Sequence, residues 1–418
     1  MFESQDFNNK LHKGGQLFTF FSLYIAQKIP MTFLATVIPV MMRQQNFSLE
    51  TIGMLQLLKL PWILKFLWSP MVDRSCNSLS DYKVWIFSSE MIYAIVIFAI
   101  AFLDLQATPI LIIVLVIMAF IASATQDIAT DALAVISFKG KDRSLVNSMQ
   151  SIGGFAGSMI GGGIMLILYN KLGWSTILPL LSVFVVLAII PIMFFKHNDD
   201  GSITFSEIKT KPGFNDLGGF FRQKGIWKQV IFLLLYYAGI TGTLSMVKPL
   251  LVDYGYNMHE IGVMSGVVGI SAGCVGSLTG GFIVRKIGRY WSRILFAGLI
   301  FIGSIYFHLL LTHLSVTVLT LHIGISLIWL SYGMATIVVY TTAMDCVRKS
   351  YEGTDFTLQT VITHLSGMLM AIGAGKLADE TSYATLFSVE MCIAATSLIY
   401  ILLIFKNNGK NVDGKEFE

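Results

Sequence analysis

Twelve stretches of this chain are apolar over roughly the 20 residues needed to cross the hydrocarbon core of a bilayer, and that removes most folds at once. Backbone N–H and C=O groups in hydrocarbon must be paired within the chain, so runs of this length are read as helices. Their limits are 17–42, 50–72, 84–104, 108–138, 145–169 and 175–196 in the first half, and 229–253, 260–284, 291–312, 316–347, 355–378 and 382–405 in the second. Only 13% of residues are charged and 55% are hydrophobic, where a soluble domain carries about 25% charged residues. The polar start, 1–16, precedes an apolar run too long for a signal-peptide core. The expected fold class is an all-α integral membrane protein of twelve transmembrane helices.

A polar stretch containing Asn198-Asp199-Asp200-Gly201 and Lys209-Thr210-Lys211-Pro212 divides the chain. It predicts an N-terminal six-helix bundle at 1–196, a cytoplasmic linker at 197–228, a C-terminal six-helix bundle at 229–405 and a cytoplasmic tail at 406–418. The linker has room for an interfacial helix from Phe214 to Lys228. With both termini cytoplasmic, most Lys and Arg residues outside the spans fall on the cytoplasmic side, Arg43 and Lys171 excepted; the positive-inside rule therefore selects that orientation. The halves also repeat. Gly53 and Gly262 are 209 residues apart, as are Gln150 and Gln359, while Pro39 and Pro249 are offset by 210 and Asp131 and Asp345 by 214. Two pseudo-symmetric bundles explain those offsets.

The fourth run contains Gln126-Asp127-Ile128-Ala129-Thr130-Asp131, with two carboxylates four residues apart and so on one helix face. An acid in hydrocarbon costs several kcal/mol unless it is paired or faces water, so intramembrane acids are read as functional sites. Asp127 and Asp131 are candidates for proton coupling, the bland alternative being pairing with loop Lys or Arg. Gln27-Lys28 lies about halfway along the first run, whereas its repeat counterpart Tyr237-Ala238-Gly239-Ile240 has no charge. An ammonium at that depth attracts an anionic solute or pairs with an acid from another span. The candidate substrate-binding residues are Tyr24, Gln27, Lys28, Lys59, Gln126 and Gln359. Lys65, near the cytoplasmic end of its run, reads as a snorkelling cation, and Lys248 and Lys376 read as interfacial anchors. Glu90 and Glu390 read as helix-packing residues. Gly157 and Gly161 read as a close helix approach. Four scattered cysteines and five of the seven histidines (His259, His308, His313, His322 and His364) show no ligand spacing, so no metal or cofactor is expected, with His364 worth testing for protonation.

Three passages carry a family resemblance: Leu64-Lys65-Phe66-Leu67-Trp68-Ser69-Pro70-Met71-Val72-Asp73-Arg74, Gln126-Asp127-Ile128-Ala129-Thr130-Asp131-Ala132, and Gly353-Thr354-Asp355-Phe356-Thr357-Leu358-Gln359. The first ends in a version of the G-x-L-x-D-R-x-G-R signature of major facilitator transporters, with Ser69 in the first glycine position. Its counterpart, Gly281 to Arg289, has Arg285 in the acidic position. Together they resemble the AmpG muropeptide permease and acetyl-CoA transporter branch, and most of all the RhtX/FptX-type siderophore permeases. The resemblance implies a monomeric importer in the bacterial inner membrane, driven by protons, that takes up a siderophore or, alternatively, a muropeptide. It places the acidic pair on Asp127 and Asp131 and gating charges on Asp73, Arg74, Arg285 and Arg289. Substrate would bind between halves that rock in alternation.

The absence of a G-x-x-x-x-G-K-[ST] phosphate loop speaks against an ATP-driven pump. A membrane-embedded transferase would need a clustered catalytic constellation, for which Asp127 and Asp131 are the sole candidates. The basic residues fall in loops between apolar runs, so the net charge of +4 implies no nucleic-acid partner.

Overall fold

The computed structural model describes residues 2–44, 58, 60–104, 107–195, 213 and 216–406. The described residues are helical almost throughout. In chain order the helices are α1 (Phe2–Gln44), α2 (Leu60–Leu64), α3 (Ser69–Ser75), α4 (Leu79–Ile100), α5 (Pro109–Ser137), α6 (Arg143–Met159), α7 (Met165–Leu172) and α8 (Trp174–Met193). They continue with α9 (Leu217–Phe220), α10 (Ile226–Tyr236), α11 (Ala238–Asp253), α12 (Met258–Ile261), α13 (Ile270–Thr312), α14 (Val318–Asp345), α15 (Glu352–Glu380) and α16 (Tyr383–Ile404). A 3-10 turn at Lys65–Leu67 joins α2 to α3, and π-helical stretches at Ile160–Ile164 and Gly262–Gly269 lead into α7 and α13.

Ten helices among the described residues are long and apolar enough to cross a membrane, where twelve spans were expected. One of them, His259–Thr312, covers two expected spans; its helical path breaks at Gly288, whose φ of 79° and ψ of 174° only glycine adopts readily. The expected span 50–72 falls largely outside the described residues. Its described part is α2, the 3-10 turn and α3 rather than one continuous helix. Lys59 also lies outside the described residues.

By contacts the chain divides into two compact units. The first comprises Met1–Ser137, Ala156–Leu217 and Arg348–Thr357, and the second Phe138–Phe155, Gly218–Val347 and Leu358–Glu418. The core of the first unit gathers Phe33, Val37, Tyr93, Ile97, Phe120 and Leu181. That of the second gathers Phe232, Leu250, Phe296, Ile300, Phe307 and Ile328. Outward faces carry exposed apolar residues such as Ile92, Ile95, Phe102 and Ile110, as a lipid-facing surface requires. Lipid is as apolar as leucine, so helices in it associate through close packing and polar contacts. Both are present. In the first unit a Cβ on Gly161 would run into the Ile29 carbonyl of α1, and one on Gly157 would lie 2.7 Å from the Lys28 Cβ. In the second, Ser144 and Ser148 of α6 donate to the Gly281 and Ser277 carbonyls at 2.9 and 2.8 Å.

Candidate functional site

In the first unit, α1, the 3-10 turn and α5 bring their polar residues to one point. Lys65, only 1% exposed, forms an ion pair with Asp127: its Nζ lies 2.5 Å from Asp127 Oδ2. Gln27 Nε2 donates to the other carboxylate oxygen of Asp127 at 3.1 Å, and reaches Gln126 Oε1 and the Ser123 carbonyl at 3.3 Å each. One turn further along α5, Asp131 Oδ1 accepts the Tyr24 hydroxyl at 2.6 Å. Trp68 Nε1 donates to Thr125 Oγ1 at 3.1 Å, which ties the segment after Lys65 to α5 again.

Lys28 is placed differently. It is partly exposed, and its ammonium stands 5.5 Å from the centre of the Trp62 ring. Its printed polar contact is the Met31 sulfur at 3.9 Å, and no carboxylate lies within ion-pair distance among the described residues. Trp62 is held edge-on by Phe120. Of the two cations at this centre, one is thus neutralised by a buried acid, and the other rests on an aromatic face with its charge available. Cation–π contact contributes about 0.5–2 kcal/mol, too little to replace a counter-ion.

Lys65 overturns its snorkelling assignment. Had the run 50–72 been one helix, Lys65 would lie near its end; the helix instead gives way to a 3-10 turn starting at Lys65, which aims the side chain inward. Gln126 is buried beside Asp127, as its neighbours require. Gln359 belongs to the other unit and is fixed in packing: it donates to the Ala343 carbonyl at 2.9 Å and accepts from Gln229 at 3.2 Å. His364 is exposed. Glu90 and Glu390 are buried in α4 and α16; the Glu390 carboxyl occupies the place where a side chain at Gly242 would go.

The charged ends of the helices form two further clusters. In the first unit Asp73 caps α15. It accepts the Gly353 N–H at 3.0 Å, the Thr354 N–H and hydroxyl at 2.7 Å each, and the Tyr82 hydroxyl at 3.0 Å. A carboxylate at a helix N-terminus meets orphan N–H donors and the positive end of the helix dipole. Burial nonetheless pushes the Asp73 carboxyl up to about 6, against the hydrogen bonds from Thr354, Gly353 and Tyr82 that favour its charged form. Arg348 braces the same helix start with a two-pronged pair to Asp355 at 2.6 and 2.8 Å. Arg74 is exposed. In the second unit Asp345 binds Arg143 at 2.7 Å and the buried Arg289 at 2.9 Å, and Arg289 also donates to the Gly140 carbonyl at 2.7 Å. Arg285 makes a half-exposed pair with Asp142 at 3.5 Å.

A model of the Major Facilitator Superfamily matches residues 16–371. The chain belongs to that superfamily. Curated relatives include the anhydromuropeptide permease of Escherichia coli K12, 23% identical over 384 residues that make up 91% of this chain and 78% of that protein. A Rickettsia conorii protein named as an AmpG transporter is 23% identical over 96% of this chain and 99% of its own. Among solved structures, a bacterial homologue of the iron transporter ferroportin in an outward-facing state has a TM-score of 0.70 at 15% identity, covering 93% of this chain and 98% of that one. At that identity the likeness concerns the fold. This major facilitator chain is therefore a multi-pass membrane transporter.

Two predictions follow from the geometry. Replacing one partner of a buried ion pair strands the other charge, at about 3–5 kcal/mol, while replacing both is far cheaper. Lys65→Met should therefore lower the detergent-solubilised melting temperature sharply, and Lys65→Met with Asp127→Leu should recover most of it. For Asp73 the folded value, raised to about 6, lies above the ordinary value of about 3.9. The folded state then binds more protons between those values, so the stability due to this group is present at low pH and lost as pH rises towards 6. The melting-temperature advantage of the native protein over Asp73→Asn should grow as pH is lowered from 6 to 4 and stay constant above 7.

Proposed function

We propose that the protein is a secondary active importer of muropeptide-type solutes, conjugates of amino sugars with short peptides that bear free carboxylates. The observation that carries this reading is the Lys28 ammonium, partly exposed beside the neutralised Lys65–Asp127 pair and without a carboxylate of its own among the described residues. A cation kept inside a membrane-spanning helix is costly, and an anionic substrate offsets that cost. Siderophores are also often anionic, so charge alone does not separate the two classes. The relatives bearing the muropeptide or AmpG name favour the muropeptide over the siderophore.

Proton coupling is assigned to the pair Asp127 and Asp131, the first held by Lys65 and the second accepting the hydroxyl of Tyr24, a group that can accept as well as donate. Asp73 with Gly353 and Thr354, and Arg289 with Asp345, act as gate contacts that open when substrate is released, with Arg74 and Arg285 supplying charge at the same helix ends. In this reading both termini are cytoplasmic and the protein works as a monomer in a bacterial inner membrane.

The test is uptake of a labelled anhydromuropeptide by cells and by vesicles holding the purified protein, with and without an uncoupler. Accumulation should collapse with the uncoupler. Lys28→Ala should raise KM about tenfold or more, the loss of a charge-assisted contact of about 1.5–3 kcal/mol. Asp131→Asn should abolish uphill accumulation while leaving exchange of internal for external substrate. Uptake of iron-labelled siderophore with no uptake of muropeptide would restore the siderophore reading.

A further inference from the structure

Beside the Arg143–Asp345–Arg289 cluster at its helix ends, the second unit contains an ordered aromatic surface. Trp329, Tyr332, Thr336 and Tyr340 follow one another at helical spacing on α14 and form a single stripe. Trp329 and Tyr332 stand edge to face, 6.0 Å apart at 89°. Phe155 of α6 reaches both, at 6.1 and 6.0 Å. Tyr237, at the break between α10 and α11, lies 5.4 Å from Tyr332 and donates its hydroxyl to Thr336 Oγ1 at 2.9 Å. Three parts of the unit thus converge on one cluster.

Two ordinary explanations fail for it. Core aromatics of this unit such as Phe296 and Phe307 are fully enclosed, whereas Phe155, Trp329 and Tyr332 keep part of their surface open although α14 residues around them are buried. Tryptophans that anchor helices in a bilayer sit at the two interfaces, whereas Trp329 lies near the middle of the 28-residue α14. The rings are also held in place. A Cβ on Gly269 would lie 2.6 Å from Trp329 Cδ1 and one on Gly273 3.4 Å from Trp329 Cε3, so the indole packs close against both glycines. The Tyr332 hydroxyl makes no hydrogen bond among the described residues and remains a donor and acceptor at the open edge.

Partly exposed rings fixed by packing, with an unbonded hydroxyl among them, suit one class of ligand well. A pyranose presents C–H groups on its faces and hydroxyl and N-acetyl groups around its rim, and aromatic side chains combine an apolar body with a polar handle. We infer that Phe155, Trp329 and Tyr332 form a carbohydrate platform, on which an amino-sugar ring of the substrate stacks while the Tyr332 hydroxyl bonds its rim. The inference rests on the muropeptide reading and adds to it the part of the substrate that this unit recognises.

The experiment measures uptake of a labelled anhydromuropeptide by vesicles holding the purified protein, with the peptide-free disaccharide as competitor. In the native protein the disaccharide inhibits uptake. Trp329→Ala should raise KM about tenfold and abolish inhibition by the disaccharide, with Trp329→Phe restoring most of both. Tyr332→Phe should weaken inhibition several-fold at an unchanged melting temperature, which separates recognition from folding should Trp329→Ala be unstable. Native-like KM and inhibition in Trp329→Ala and Tyr332→Phe, alongside muropeptide uptake by the native protein, would overturn the platform and leave the transport reading intact. Failure of the native protein to take up muropeptide while it takes up siderophore would overturn both.

Discussion

The ion pair between Lys65 and Asp127 is the contact on which the organisation of the first unit rests. Inside a bilayer the hydrophobic effect does not decide which helix faces which, because lipid and apolar side chains are equivalent partners. Buried charges do decide it. A lone ammonium or carboxylate there costs several kcal/mol, and the cost is met when the two are placed in contact with further hydrogen bonds to the acid. Lys65 satisfies Asp127 from the 3-10 turn, and Gln27 satisfies its second oxygen from α1, so three segments distant in sequence are brought into register. Glycines complete the approach, since α1 passes the Gly157–Gly161 face without room for side chains there.

With Asp127 engaged by Lys65 and Asp131 accepting the Tyr24 hydroxyl, the second cation of the centre is Lys28. Lys28 is left with an aromatic face and an open side, a poor resting place for a cation and a good one for a cation awaiting an anion. The second unit contributes different chemistry. Its interior includes amides and hydroxyls tied to one another, such as Gln229 with Gln359 and Tyr237 with Thr336, and its partly exposed Phe155, Trp329 and Tyr332 are aromatic.

Much of this was legible in the sequence. The apolar runs stand out because they match what hydrocarbon requires, the paired carboxylates of α5 and Lys28 because they depart from it, and the signature containing Asp73 and Arg74 by its residue pattern. Lys65 was misread because depth was judged along an imagined straight helix, and no residue pattern announces the turn that aims it inward. Gln359 shares the offset of 209 with Gln150, yet a shared offset does not report contact with a ligand; its amide bonds Gln229 and the Ala343 carbonyl. The Asp73 cap on Gly353 and Thr354, and the capture of Asp345 by Arg143 and Arg289, join residues far apart in the chain. Asp345 stood out in the sequence as the repeat partner of Asp131, and its actual partners could not be read from spacing.

The central claim is that a free cation held beside a neutralised pair recognises carboxylates on the transported solute. Its most direct test compares binding of an anhydromuropeptide with that of the same molecule amidated at every carboxylate, using purified native protein. The account predicts that amidation weakens binding at least tenfold and that the difference vanishes in Lys28→Ala. Equal binding of the two forms by the native protein would contradict it.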